Sequence, residues 1–327
     1  AIQGTLLAGD MTAPAGNPAI PDLTARMLTR GTTHRTKLDI GALLDGAGAR
    51  LSMGTSTTDF TITGNGLSKD LPLLLEILAD ELLNPSFPDS ELAKAKLEMK
   101  SAILQSSQST RNRAYDRLTQ LTLPAGHPFR APTAEEWLAG IEKATVLDLQ
   151  AFHRARIGGA ALYLAVVGDV DREAAAALVE KHLGALPAGT RPAFTNPRVA
   201  PEKLPKGSRE IVILPGKANI DFVFGHASGL RRTDPDYEAA LIANAALGQT
   251  SLSSRIGKRV RDTEGLSYNL WSRFRQADVL DGVWLVDVAV APRNLGQAVK
   301  STREEIEKYC REGITPDEVD VQKSFFA

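Results

Sequence analysis

The chain has little that would hold it together covalently or carry it into a membrane. Its 327 residues include one cysteine, Cys310, so no internal disulfide can form. Aromatic residues make up 6% of the composition, with three tryptophans and five tyrosines. Net charge is −1, which gives neither nucleic acid nor an anionic membrane an electrostatic reason to bind. No apolar run approaches the roughly 20 residues that a membrane-spanning helix needs. The five histidines, His34, His127, His153, His182 and His226, are too scattered for two to share one helical turn as metal ligands. There is no GxSxG nucleophile elbow. Gly64-Asn65-Gly66 and Pro215-Gly216-Lys217 read as turns, not as a phosphate-binding loop. His127-Pro128 reads as a structural turn. By its own motifs the chain is not a complete catalyst.

What remains is an ordinary globular composition, 43% hydrophobic and 24% charged, enough for two domains. Residues 2–8 read as a strand, 10–21 as a Gly/Pro/Ala-rich loop, and 22–30 as a helix with Asp22 as its cap. A helix over 36–47 precedes hairpin strands at 50–55 and 59–64. Helices follow over 71–83, 88–108, 115–123, 145–156 and 171–184, with a buried strand at 160–167. Residues 187–205 hold five prolines, the signature of a stiff connector. Beyond it the order restarts: strands at 211–214 and 218–225, a helix over 236–247, a strand at 283–290 and a helix over 295–312. The expected organisation is α+β. Two related domains, 1–186 and 206–327, flank the 187–205 linker. Each is a mainly antiparallel sheet with helices on one face, the second truncated. The chain starts at Ala1-Ile2-Gln3 and stops after SFFA, so it reads as a fragment cut at both ends.

The most informative stretch is 251–273, SLSSRIGKRVRDTEGLSYNLWSR. Leu252, Ile256 and Val260 keep helical spacing. Gly265 supplies the stop. From Leu266 the pattern alternates with a period of two. Arg261 thus sits at a helix end and Tyr268 at a strand start, seven positions apart. A guanidinium and a phenol on either side of one turn can both address the backbone of an extended peptide. On local pattern alone, the commoner reading is that Arg261 is a solvated helix-end charge and Tyr268 a half-buried strand residue.

The whole chain resembles the pitrilysin/insulinase family of zinc metallopeptidases, and within it the non-zinc half of two-part members. DLTARMLTRGT (22–32) stands where the family carries HxxEH, with Asp22 and Arg26 on the ligand positions and Ala25 on that of the catalytic glutamate. The third ligand position falls near Ala102. NPSFPDSEL (84–92), HPF (127–129), VVGDVD (166–171) and DPDYEAALIANAALG (234–248) match other landmarks. The resemblance implies that Arg261 and Tyr268 are the catalytic residues this half supplies to the zinc site of its partner. It implies zinc in the partner half and none in this chain. The partners it implies are a zinc-bearing half and an unstructured peptide, in a periplasmic setting. A structural or scaffold subunit without catalysis is the alternative reading.

Overall fold

In the computed structural model, residues 1–14, 16–192, 198, 207–249, 251–275 and 280–326 are described. The chain divides into two compact units. One comprises 1–104 and 132–193, the other 105–131 and 194–327. Segment 105–131 thus belongs by its contacts to the second unit. Much of the expected linker, including Pro197, Pro201 and Pro205, lies outside the described residues.

The first unit is built on strands β1 (Ile2–Leu6), β2 (Arg50–Thr55), β3 (Phe60–Asn65) and β4 (Leu162–Val166). They lie in the order β2-β3-β1-β4, every neighbour antiparallel. Alternation places Ile2, Leu6, Phe60 and Ile62 on one face, all buried, while Gln3 and Tyr163 are exposed on the other. Against the buried face pack α1 (Ala19–Leu28), α3 (Leu71–Leu83), α4 (Asp89–Ser107) and α7 (Val146–Arg156), through Leu23, Met27, Leu75, Leu78, Met99 and Phe152. Removing that much apolar surface from water is the main driving force for the unit, roughly 25 cal/mol per Å². Capping boxes start α2 (Lys37–Gly46), α6 (Ala134–Lys143) and α7: Thr36 with Asp39, Thr133 with Glu136, Thr145 with Asp148.

Helix α1 begins at Ala19, three residues before the expected Asp22 cap. Pro21 falls in its first turn, where a missing N–H costs nothing, and the buried Ile20 fixes that turn to the core. Asp22 is therefore a first-turn acid and not the cap.

The second unit holds β5 (Ile220–Ala227), β6 (Asn269–Arg275) and β7 (Val283–Val290) in the order β5-β7-β6, again antiparallel. Residues 211–214, expected as a strand, pair with no described strand, and Ile211 and Ile213 stand exposed. One face of β7 (Val286, Val288, Val290) joins Ile256, Val260, Leu270 and Ala298 of α10 (Leu295–Glu312) in a core. The other face receives α5 (Thr110–Thr122). Gly225 permits that approach, since a Cβ there would lie 2.7 Å from Leu118 Cδ2. Ion pairs dock the helix: Arg111 Nε lies 3.1 Å from Asp287 Oδ2 and 3.5 Å from Asp221 Oδ1, and Thr110 donates to Asp221.

Candidate functional site

The run that carries Arg261 and Tyr268 is only partly the expected α-helix. Gly257–Thr263 forms a π-helical stretch, a wider coil that is rare and concentrates at functional sites. It buries Ile256 and Val260 but leaves Leu252 exposed. It ends at Gly265, whose φ of 62° is left-handed, and the Gly265 and Leu266 N–H groups close back on the carbonyls of Arg261 and Val260. The chain then enters β6 one residue after Tyr268.

Both sides of this turn are tied down. The Glu264 carboxylate accepts from Arg259 Nε at 3.1 Å, Ser301 Oγ at 2.6 Å and Gln297 Nε2 at 3.4 Å. Burial alone would raise its pKa, but these hydrogen bonds outweigh it and the net direction is down. Ser267 Oγ donates to the Ala289 carbonyl at 2.6 Å. Asn244, at the end of α9 (Tyr237–Asn244), donates to the Ser272 carbonyl and accepts from Ser272 Oγ and Trp284 Nε1. Nothing in the local pattern points to Glu264, Ser267 or Asn244. Apart from Arg259, five residues before Glu264, the partners named are 22 to 40 residues away, and only the fold brings them together.

On this frame the Arg261 guanidinium lies over the Tyr268 ring, 6.0 Å from its centre, and reaches Ser251 Oγ at 3.5 Å. Tyr268 is 79% exposed, so it is not the half-buried strand residue that local pattern allows. The pair presents a cation and a hydroxyl donor to solvent beside β6. That strand pairs with β7 on one side and with no described strand on the other. An unpaired strand edge is a template for an extended chain.

The first helix has different chemistry. Asp22 is held by Arg26, Oδ1 to Nε at 2.9 Å, and accepts from Thr55 Oγ1 at 3.5 Å. Ala25 is fully buried and Ala102 is an exposed alanine. A carboxylate already paired with a guanidinium, an arginine and an alanine do not make a zinc donor set. Among the described residues no group of three or more His, Cys, Asp or Glu side chains converges. Asp10, nearby, has its pKa raised to about 7, by burial first and by Asp22 second. A cleft of about 560 Å³ in this unit is lined by Thr12, Asn17, Ile20, Phe152 and Arg156 among others, with none of the expected site residues. His127 is the structural turn expected of it: its Nδ1 accepts from the Phe129 N–H at 3.2 Å.

Two antiparallel α+β units, a solvent-facing Arg/Tyr pair and a first helix without a zinc donor set define the class: a metallopeptidase-like domain pair. Comparison with known proteins fixes the family. Residues 143–325, over half the chain, match the peptidase M16 inactive domain, and residues 6–130 match the insulinase family, peptidase family M16. The chain belongs to peptidase family M16. An uncharacterized zinc protease of Mycobacterium tuberculosis is 28% identical over 309 residues, 91% of this chain and 66% of that protein. The chain thus spans just under two thirds of such relatives. The non-peptidase homolog YmxG of Helicobacter pylori is 25% identical over 309 residues, 93% of this chain and 68% of its own. A peptidase M16 inactive domain from Pseudomonas fluorescens superposes with a TM-score of 0.87 at 23% identity, over 99% of this chain and 77% of that one. The periplasmic protease PqqL of Escherichia coli does so at 0.74 and 14% identity, over 99% and 35%. No described helix is long and apolar enough to cross a membrane.

Proposed function

We propose that this chain is the non-catalytic half of a zinc metallopeptidase. In this reading it binds an extended peptide and supplies Arg261 and Tyr268 to the zinc site of a partner half. The observation that carries the proposal is the exposed Tyr268 phenol with the Arg261 guanidinium over its ring, beside the edge of β6 that no described strand pairs. The peptide adds a strand to that edge, gaining affinity from main-chain hydrogen bonds without reading sequence. Tyr268 donates its hydroxyl proton to the oxygen that becomes negative as the scissile carbonyl is attacked. Arg261 holds a neighbouring substrate carbonyl through its N–H donors. A zinc ion, which the partner half would hold, would supply the Lewis-acid chemistry, and no residue of the first helix here takes part in it.

A scaffold role is the second reading. It is favoured by YmxG, named a non-peptidase homolog, and by human cytochrome b-c1 complex subunit 1, 26% identical over 158 residues, 48% of this chain and 32% of that protein. The exposed Arg261–Tyr268 pair favours the first, because a scaffold gains nothing from a solvent-facing phenol. Mixing the chain with a zinc-bearing M16 half and following cleavage of an unstructured fluorogenic peptide separates the two. The proposal expects turnover in the mixture and none from either half alone. Turnover by the zinc half alone, unchanged on adding this chain, refutes it. A periplasmic setting, with PqqL as the family precedent, belongs to the proposal and is checked by osmotic-shock fractionation.

A further inference from the structure

On β6, the odd-numbered residues Asn269, Trp271, Arg273 and Arg275 share one face. The Arg273 guanidinium lies 3.7 Å from the centre of the Trp271 ring, and that of Arg275 lies 4.2 Å from Tyr115 on α5. Stacking occupies the flat side of a guanidinium and leaves its in-plane N–H fork free.

Several other arginines of the same unit sit in ion pairs. Arg117, Arg198, Arg231, Arg255 and Arg259 each meet a carboxylate within 4.0 Å: Glu210, Asp234, Asp281, Glu318 and Glu264. Arg273 and Arg275 meet none among the described residues. Asp287, directly across from Trp271 on that face, is engaged by Arg111. Burial, and after it the neighbouring Arg275, pull the Arg273 pKa below its ordinary value. The edge strand therefore carries two ring-stacked cations, one strand repeat apart, that no described carboxylate meets within 4.0 Å, with Asp287 and Asp116 acting on them only from farther away.

A peptide added to this edge places every second side chain on the same face, opposite that pair. We propose that the β6 edge selects extended peptides with acidic side chains at alternate positions, Arg273 and Arg275 each taking one carboxylate. This rests on the reading that peptide docks at β6, and it adds a substrate class to it. Aromatic stacking fixes each fork in advance, so little side-chain freedom is lost on pairing. Two cross-strand charge pairs give about a two- to thirty-fold preference, weakening as salt rises.

The test is fluorescence anisotropy of the full chain with three dye-labelled, unstructured nonapeptides. They differ only in a central Glu-Thr-Glu, Gln-Thr-Gln or Lys-Thr-Lys. The expected order is Glu tightest and Lys weakest, narrowing between 50 and 300 mM salt. An Arg273→Gln, Arg275→Gln double variant should bind all three alike. An Arg117→Gln, Arg198→Gln variant, which removes the same charge from paired sites, should keep the preference. Equal binding by the wild-type chain, a comparison that needs no variant to fold, overturns the selectivity and leaves peptide docking standing. So does a preference that survives in the Arg273/Arg275 variant. If none of the three binds at millimolar peptide, the docking reading falls and this one with it.

Discussion

The guanidinium carbon of Arg261 stands 6.0 Å from the centre of the Tyr268 ring, and the whole turn between them is fastened to other elements. Glu264 is held from α10 by Ser301, and Ser267 is held to β7 through the Ala289 carbonyl. The backbone that carries the pair is thus fixed in advance, and the two side chains project from a fastened turn. A grip that must act on a reacting peptide loses less if it is ordered beforehand.

Gly265 sets the geometry of that turn. Its φ of 62° is costly for any residue with a Cβ, although open space surrounds the position. Gly265→Ala should lower stability by about 1–2 kcal/mol, from backbone strain alone. Gly265→Asn should cost less, since asparagine tolerates the left-handed region. Chemical denaturation of the three proteins checks this. An alanine variant as stable as wild type contradicts it.

Arg111 fastens α5 to the sheet through Asp287, whose pKa is pushed up to about 6. Burial is the largest cause, and Arg111 opposes it. A carboxyl raised in this way contributes stability that is fully present below its unfolded pKa, near 4, and lost as pH rises through about 6. Arg111→Gln removes the opposing cation and carries the folded pKa higher. The variant should therefore lose more stability at pH 8 than at pH 5. Adding Asp287→Asn should abolish that difference. Melting temperatures at the two pH values decide it.

Much of this architecture is legible from local pattern. The 71–83 helix is apolar at a period of 3.6 and α3 matches it, and the 283–290 alternation is β7. The Arg261/Tyr268 candidates rest on the family resemblance, while a Gly stop and a switch of period only set them on either side of one turn, and the fold puts the guanidinium 6.0 Å from the ring centre. What local pattern misreads depends on distant partners. Residues 211–214 alternate like a strand, yet a strand exists only where another pairs with it. The π-helical stretch at 257–263 keeps α-like apolar spacing, so no periodicity distinguishes it. No helix is expected over 134–143, although the Thr133/Glu136 capping box that starts α6 is itself readable. That Arg273 and Arg275 meet no described carboxylate is invisible before the sheet is built.

Glu81 on α3 is almost fully buried, and its pKa is raised to about 8, by burial first and by Asp80 second. The folded chain therefore holds it neutral at pH 7. Its stabilising contribution is complete below the unfolded value of 4.5 and is lost as pH rises through about 8. Glu81→Gln mimics the neutral form at every pH. It should match wild type near pH 5 and exceed it near pH 9 by a few kcal/mol, on the order of 1.4 kcal/mol for each pH unit of raised pKa that is crossed. Denaturant midpoints across that range test the sign. A variant equally less stable at both ends contradicts it.

The central claim is that the Tyr268 hydroxyl works on a reacting peptide held by a partner's metal site. Its most direct test is Tyr268→Phe in the assembled two-part enzyme, with kcat and bound zinc measured together. The ring and its contact with Arg261 survive this change, and only the donor is lost. The account predicts kcat lower by about 10²- to 10³-fold, the usual cost of removing one such donor, with zinc content and assembly unaltered. Wild-type kcat in the phenylalanine variant contradicts it.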